Sequence, residues 1–232
     1  MGNQELKFAR QQRGWSEVEA ARRLGVSQSY LSMLETGERR LTPRLARTAM
    51  RVYDLPPTVL PVSRAPQTAR RLNAQALAEQ LAALGYPGFA YLRARTRVKN
   101  PVEVLLEALA QDDLEARLVE ALPWLLLRYW NMNLNWLVEQ AKLHDLQNRL
   151  GFVVSLARQL SERAAVRNED RNHVLANLES LLDRSRLARE DTLCKALLRE
   201  PERRWLVENR PEAAKHWNLL TDWRAEQFPY VP

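Results

Sequence analysis

Apolar residues recur every three to four positions along most of the chain, which is the period of an amphipathic α-helix. Near the N-terminus the predicted helices are short and sharply punctuated. Leu6 and Ala9 mark the inner face of a first helix over about Gln4 to Gln12, which stops before Gly14. Ser16 opens a second. Ser16 and Glu19 have capping-box spacing, in which hydroxyl and carboxylate each satisfy an orphan backbone N–H. Val18, Ala21 and Leu24 form its buried stripe, and Gly25 supplies the turn. Ser27 caps a third helix, Gln28 to about Glu35, which buries Tyr30 or Leu31 together with Leu34 and ends at Gly37. Thr42 caps a fourth, with Pro43 at its first position, where the missing N–H costs nothing. Its core face is Leu45, Ala49 and Val52, and Asp54-Leu55-Pro56-Pro57 stops it.

After residue 60 the pattern lengthens. Leu55 to Pro66 holds 4 of the 12 prolines and predicts a semi-rigid linker over 61–66. A helix follows from about Gln67 to Leu84, then a turn at Gly85-Tyr86-Pro87-Gly88. Tyr86, Phe89 and Tyr91 lie beside Arg93, Arg95, Arg97 and Lys99. This segment reads either as a surface for DNA or an acidic partner, or as a solvated loop held by anchoring aromatics. From Asn100 a repeat emerges when residue n is set against n + 32. Leu105 meets Leu137, Glu107 meets Glu139, Asp113-Leu114 meets Asp145-Leu146, and Arg117-Leu118 meets Arg149-Leu150. Each copy reads as helix, short turn, helix, with Asp and Arg four apart as a helix pair. A ragged third copy covers about Asn172 to Leu198. Paired helices at this period predict an α-solenoid, and the first copy resembles a HEAT-type repeat. Residues 67–226 are thus expected to form an all-helical dimerisation or partner-binding domain, followed by a tail, 227–232, that either docks as an extended peptide or frays.

Charge separates the two parts further. The chain carries +7, yet residues 1–70 hold 12 Lys and Arg against 6 acids, a balance of +6, and the rest is almost neutral at +1. A basic N-terminal third suits a module that binds a polyanion. Two short helices about a turn at Gly25 form the hairpin by which such modules read DNA. With only 7 glycines and many helix formers, the chain is expected to be all-α. Its longest apolar run, the 7 residues Ala121 to Leu127, is far short of a membrane span, and the first residues lack the order of a signal peptide. A cytoplasmic, nucleoid-associated protein without membrane contact is expected.

The string Val26-Ser27-Gln28-Ser29-Tyr30-Leu31-Ser32, followed by Leu34-Glu35 and Gly37, resembles the phage-repressor (Cro/XRE) helix-turn-helix family. Leu6, Arg10, Gly14, Ser16, Ala20-Ala21, Leu24-Gly25 and Arg39 extend the resemblance over residues 1–60. It implies a five-helix, lambda-repressor-like DNA-binding domain with a last short helix near Thr58–Leu60. It also implies that the third helix lies in the major groove. Base readout then falls to Gln28, Ser29, Ser32 and Met33. Gln28 suits adenine, and Met33 either meets a thymine methyl or packs inward. Phosphates fall to Ser16, Glu17 and Ser27 at helix N-termini and to Arg39, Arg40 and Arg44. Glu17 departs from what a phosphate contact wants. Arg10 and Glu35 are read as an internal structural ion pair.

Nothing in the pattern assembles a reaction. His144, His173 and His216 lack metal-ligand spacing, Cys194 has no local base, and no glycine-rich phosphate loop occurs. No enzymatic activity, cofactor or metal is expected. The sequence predicts a DNA-binding transcriptional regulator, a repressor acting as a homodimer. The alternative is an antitoxin or defence-system component whose residues 67–232 hold a toxin protein. A regulator sensing a small molecule in its helical domain is a third reading.

Overall fold

A computed structural model describes residues 3–63, 73–92, 96–164, 168–196 and 198–232. The chain divides into two compact units, Met1–Arg64 and Ala65–Pro232.

The first unit has four short helices, α1 (Asn3–Gln12), α2 (Glu17–Leu24), α3 (Gln28–Thr36) and α4 (Pro43–Val52), and a closing 3-10 turn at Pro57–Val59. The caps fall where the sequence puts them. The hydroxyls of Ser16, Ser27 and Thr42 accept from the backbone N–H of Glu19, Tyr30 and Leu45. Gly25 and Gly37 end α2 and α3 in the left-handed conformation, at φ of 71° and 94°, which glycine adopts without Cβ strain. Leu6, Ala9, Ala21, Leu24, Leu31 and Leu34 anchor one core with Ala20 and Tyr53. Two expectations fail here. Val18 is 62% exposed, because the start of α2 at Glu17 turns Ala20, Ala21 and Leu24 inward and leaves Val18 on the opposite side. The Glu19 carboxylate does not close a capping box; it accepts from Arg23 one turn on, at 2.8 Å. Tyr30 is only partly buried while Leu31 is fully so.

The second unit begins, in the described residues, at Asn73, whose side chain caps α5 (Ala74–Ala83). The expected helix start at Gln67 and the linker residue Pro66 lie outside them, as do Arg93 and Arg95. Tyr86 and Phe89 are buried and stack edge-on with Trp124 and with each other, at 5.3 and 5.6 Å. Lys99 pairs with Glu107 at 2.8 Å. These aromatics are therefore anchors of the core, and only Tyr91 faces solvent.

Two helical hairpins follow. α6 (Pro101–Leu109) and α7 (Ala116–Arg128) make one; α8 (Leu134–Leu143) and α9 (Gln147–Arg163) make the other. α6 packs on α8 and α7 on α9, so the two copies of the 32-residue repeat stack in register. Asp113 and Asp145 both sit in the turns. Asp145 is left-handed, at φ 56°, and so does not form the expected helix pair with Arg149.

Among the described residues the third copy is not a helical hairpin. α10 (Glu169–Asp183) packs along α9, but the chain then runs irregularly to β1 (Asp191–Thr192). β1 pairs in parallel with β2 (Leu219–Leu220), and α11 (Glu200–Asn209) and α12 (Glu212–His216) lie between them in sequence. Arg149 meets the chain at this break. Its guanidinium is buried and grips both oxygens of Asp191 at 2.7 and 2.9 Å, and it also donates to the carbonyls of Leu109 and Gln111. That ties Asp191 to the second hairpin, and Gln147 and Asn148 of the same helix hold the backbone at Ser185 and Leu187. Trp217 is fully buried beside Gly151, where an added Cβ would stand 2.4 Å from its ring, and its indole N–H donates to Ser155 at 2.8 Å.

The tail packs back on the helical unit. Phe228 is buried against Trp223, Tyr230 stacks on Tyr86 at 5.4 Å, and Arg171 donates to the Pro232 carbonyl. Among the described residues no helix is long and apolar enough to cross a membrane, and no three His, Cys, Asp or Glu side chains are grouped to hold a metal.

Candidate nucleic-acid interface

The interface is built from caps outward. Each cap hydroxyl accepts one backbone N–H, so the O–H of Ser16 and of Ser27 is still free to donate to a phosphate oxygen. Both sit at helix N-termini, where the aligned peptide dipoles favour an anion. Gln28 and Ser29, the first two residues of α3, are exposed. Ser32, one turn on, and Met33 are partly buried.

Arg39, Arg40 and Arg44 are exposed, and among the described residues none has a carboxylate within ion-pair distance. Their three charges follow α3 directly, with Arg39 held near it by its backbone N–H to the Met33 carbonyl at 3.0 Å.

Behind this face lies the only buried charge pair of the described part of the unit. Arg10 donates through Nε and Nη2 to the two oxygens of Glu35 at 2.8 and 2.7 Å, and through Nη1 to the Trp15 carbonyl. The pair ties α1 to the end of α3. The bond to Glu35 raises the Arg10 pKa further, so its charge is permanent.

Sequence reasoning missed what this pair does next. Arg10 Nη2 also lies 3.7 Å from a Glu17 oxygen, and the other Glu17 oxygen accepts from the Gln28 side-chain amide at 3.3 Å. Glu35, Arg10, Glu17 and Gln28 form one chain of contacts from the core to the recognition helix. Glu17 is therefore occupied from both sides, and the acid that looked unfavourable at a phosphate edge holds the exposed Gln28. The contact spans eleven residues and crosses the turn between α2 and α3, so no spacing within one helix announces it. Arg13 and Arg23 were missed as well. Arg23 lies over the Trp15 ring at 4.1 Å, and Arg13 lies 5.9 Å from that ring and 5.8 Å from Tyr53. Arginines beside a lone tryptophan are the signal that could have found them.

Residues 6–60 match a family model described as Helix-turn-helix. No curated protein and no solved structure matches the chain.

Proposed function

We propose that the chain is a DNA-binding transcription regulator of the Cro/XRE helix-turn-helix type, a reading the match over residues 6–60 supports, and that it is a repressor that binds a two-fold-related operator as a homodimer. The observation that carries this reading is the arrangement on α3. Gln28 is exposed at the helix start and held by Glu17, and three arginines with no ion-pair partner among the described residues follow the helix. A glutamine amide offers a donor and an acceptor to the adenine edge, and arginines supply sequence-independent attraction to phosphates. One recognition helix reads too few base pairs for useful specificity, which is why two copies are needed. In this reading Ser29 and Ser32 assist at base edges, while Ser16, Ser27, Arg39, Arg40 and Arg44 fix the register. Glu17 acts through Gln28 rather than on phosphate.

The test is genomic footprinting of the tagged chain, followed by binding to the operator it yields. Gln28→Ala is expected to lose about 1–3 kcal/mol of specific binding and little non-specific binding. Parent-like operator affinity in that variant sinks the base-reading assignment, and a single monomer at saturation sinks the dimer.

A second reading has its own support. Trp205 and Val207 are exposed on α11, at 51% and 41%, an apolar display that suits a protein partner. The chain is then an antitoxin or defence component whose helical unit holds that partner while the N-terminal unit represses the operon. A co-expressed neighbour that co-purifies stoichiometrically with the full chain supports it; a homodimer without a second protein goes against it.

A further inference from the structure

We propose that the helical unit carries a docking cleft for a basic segment of a partner protein, with Trp205 and Trp223 as its cation-binding walls. This deepens the second reading above and rests on it.

α11 turns only Leu206 inward. Trp205 therefore faces a cleft of about 420 Å³ between α11, the start of α7 and the chain around 221–223. Leu114, Val119, Leu193 and Leu206 supply its apolar floor, and Trp223, braced by the buried Phe228 at 5.3 Å, faces it as well. Large indoles left in water are costly, and tryptophan concentrates binding energy where a partner excludes that water.

The charge of the cleft fixes the class of occupant. Asp113, Glu202 and Asp222 line it, against one cation, Lys195, which is already joined to Glu202. Among the described residues Asp113 and Asp222 have no ion-pair partner. A chain with a net charge of +7 thus presents a negative, aromatic cleft here. DNA is repelled from it. An arginine or lysine of a partner fits on both counts: its aliphatic stem covers the apolar floor, and its charged head meets indole faces and two unpaired carboxylates. The volume admits a few side chains, which suits a short segment rather than a folded surface.

The test uses the full chain with ¹⁵N-labelled tryptophan, the indole signals being assigned with Trp205→Phe and Trp223→Phe. The probe is a hexapeptide of alternating leucine and arginine, with the leucine–glutamate peptide and tetramethylammonium as controls. The basic peptide is expected to move the Trp205 and Trp223 signals saturably and to leave Trp124 and Trp217 in place. Asp113→Asn combined with Asp222→Asn should weaken it at least tenfold, with an unchanged melting temperature and unchanged DNA binding.

Absence of saturable binding overturns the proposal. So does equal binding of the acidic peptide, parent-like affinity in the double variant, or equal affinity for tetramethylammonium, which would make the cleft a small-cation site. Movement of the Trp205 signal with protein concentration alone would assign the cleft to a second copy of this chain, and that too overturns it. A co-purified partner that binds the double variant as well as the parent removes the cleft and leaves the partner reading standing.

Discussion

Each unit buries one arginine against one carboxylate, and the two pairs differ in what surrounds them. Arg10 and Glu35 lie 25 residues apart and join two helices that the sequence already defines. Arg149 and Asp191 lie 42 residues apart and join a helix to an irregular segment that the sequence does not define, and Arg149 also satisfies the carbonyls of Leu109 and Gln111 at the end of α6. The first pair closes a small module whose core is mostly leucine and alanine. The second ties Asp191 to the second hairpin. A buried pair is a weak source of net stability because desolvation offsets attraction, but removing one member leaves a charge without water or partner. The same chemistry thus staples two defined helices in one unit and anchors an irregular segment in the other.

The largest effects should come from breaking the pairs singly. Arg10→Met and Arg149→Met are each expected to cost about 3–5 kcal/mol. Calorimetry should show that the first lowers only the transition of the N-terminal unit and the second only that of the helical unit. Adding Glu35→Leu to Arg10→Met should restore most of the loss. Adding Asp191→Leu to Arg149→Met should restore less, since two carbonyls stay without their donor. Equal rescue would erase the distinction between staple and anchor.

Next comes Gly151. By helix propensity alone, replacing a glycine within α9 by alanine stabilises by about 1 kcal/mol. The Trp217 ring stands where the new methyl would go, so Gly151→Ala is expected to destabilise the helical unit by about 1–3 kcal/mol. A raised melting temperature would show that the tryptophan gives way.

Alkaline pH should act on the helical unit through Cys194, by about 1 kcal/mol near pH 10. Burial pushes the Cys194 thiol from its ordinary 9.0 up to about 12, against the counteracting charge of Arg149. The folded state therefore keeps a proton that the unfolded state releases. The Cys194 contribution to stability is full below about pH 9 and is lost as pH climbs toward 12, with a slope of at most ~1.4 kcal/mol per pH unit. Cys194→Ala should flatten part of that fall in the helical unit and leave the N-terminal unit unchanged. Thiol labelling of the native chain at pH 8 should be slow.

The smallest effect concerns Glu17. Glu17→Gln removes an acid near the phosphate edge and weakens the hold on Gln28. Non-specific DNA affinity is expected to rise by roughly 0.5–1 kcal/mol while discrimination against mutated operators narrows. Mobility shifts across a salt series read both quantities, and unchanged discrimination would mean that Glu17 does not position Gln28.

The sequence by itself determined the N-terminal unit almost completely. Its helix ends are written locally, by Ser16, Gly25, Ser27, Gly37, Thr42 and Pro43, because caps and left-handed turns depend on a few adjacent residues. It also determined the stacking of the two hairpins, since a 32-residue period survives in Asp113-Leu114 and Asp145-Leu146. Only the tertiary structure decided that Glu17 grips Gln28, that Arg149 takes Asp191 instead of Asp145, that Trp217 needs Gly151, and that the tail lies on its own domain. These contacts join residues brought together by packing, and none lies within one helix or one cap. Local chemistry is therefore legible along the chain, whereas a partner chosen across tens of residues is set by which surfaces the fold leaves facing each other.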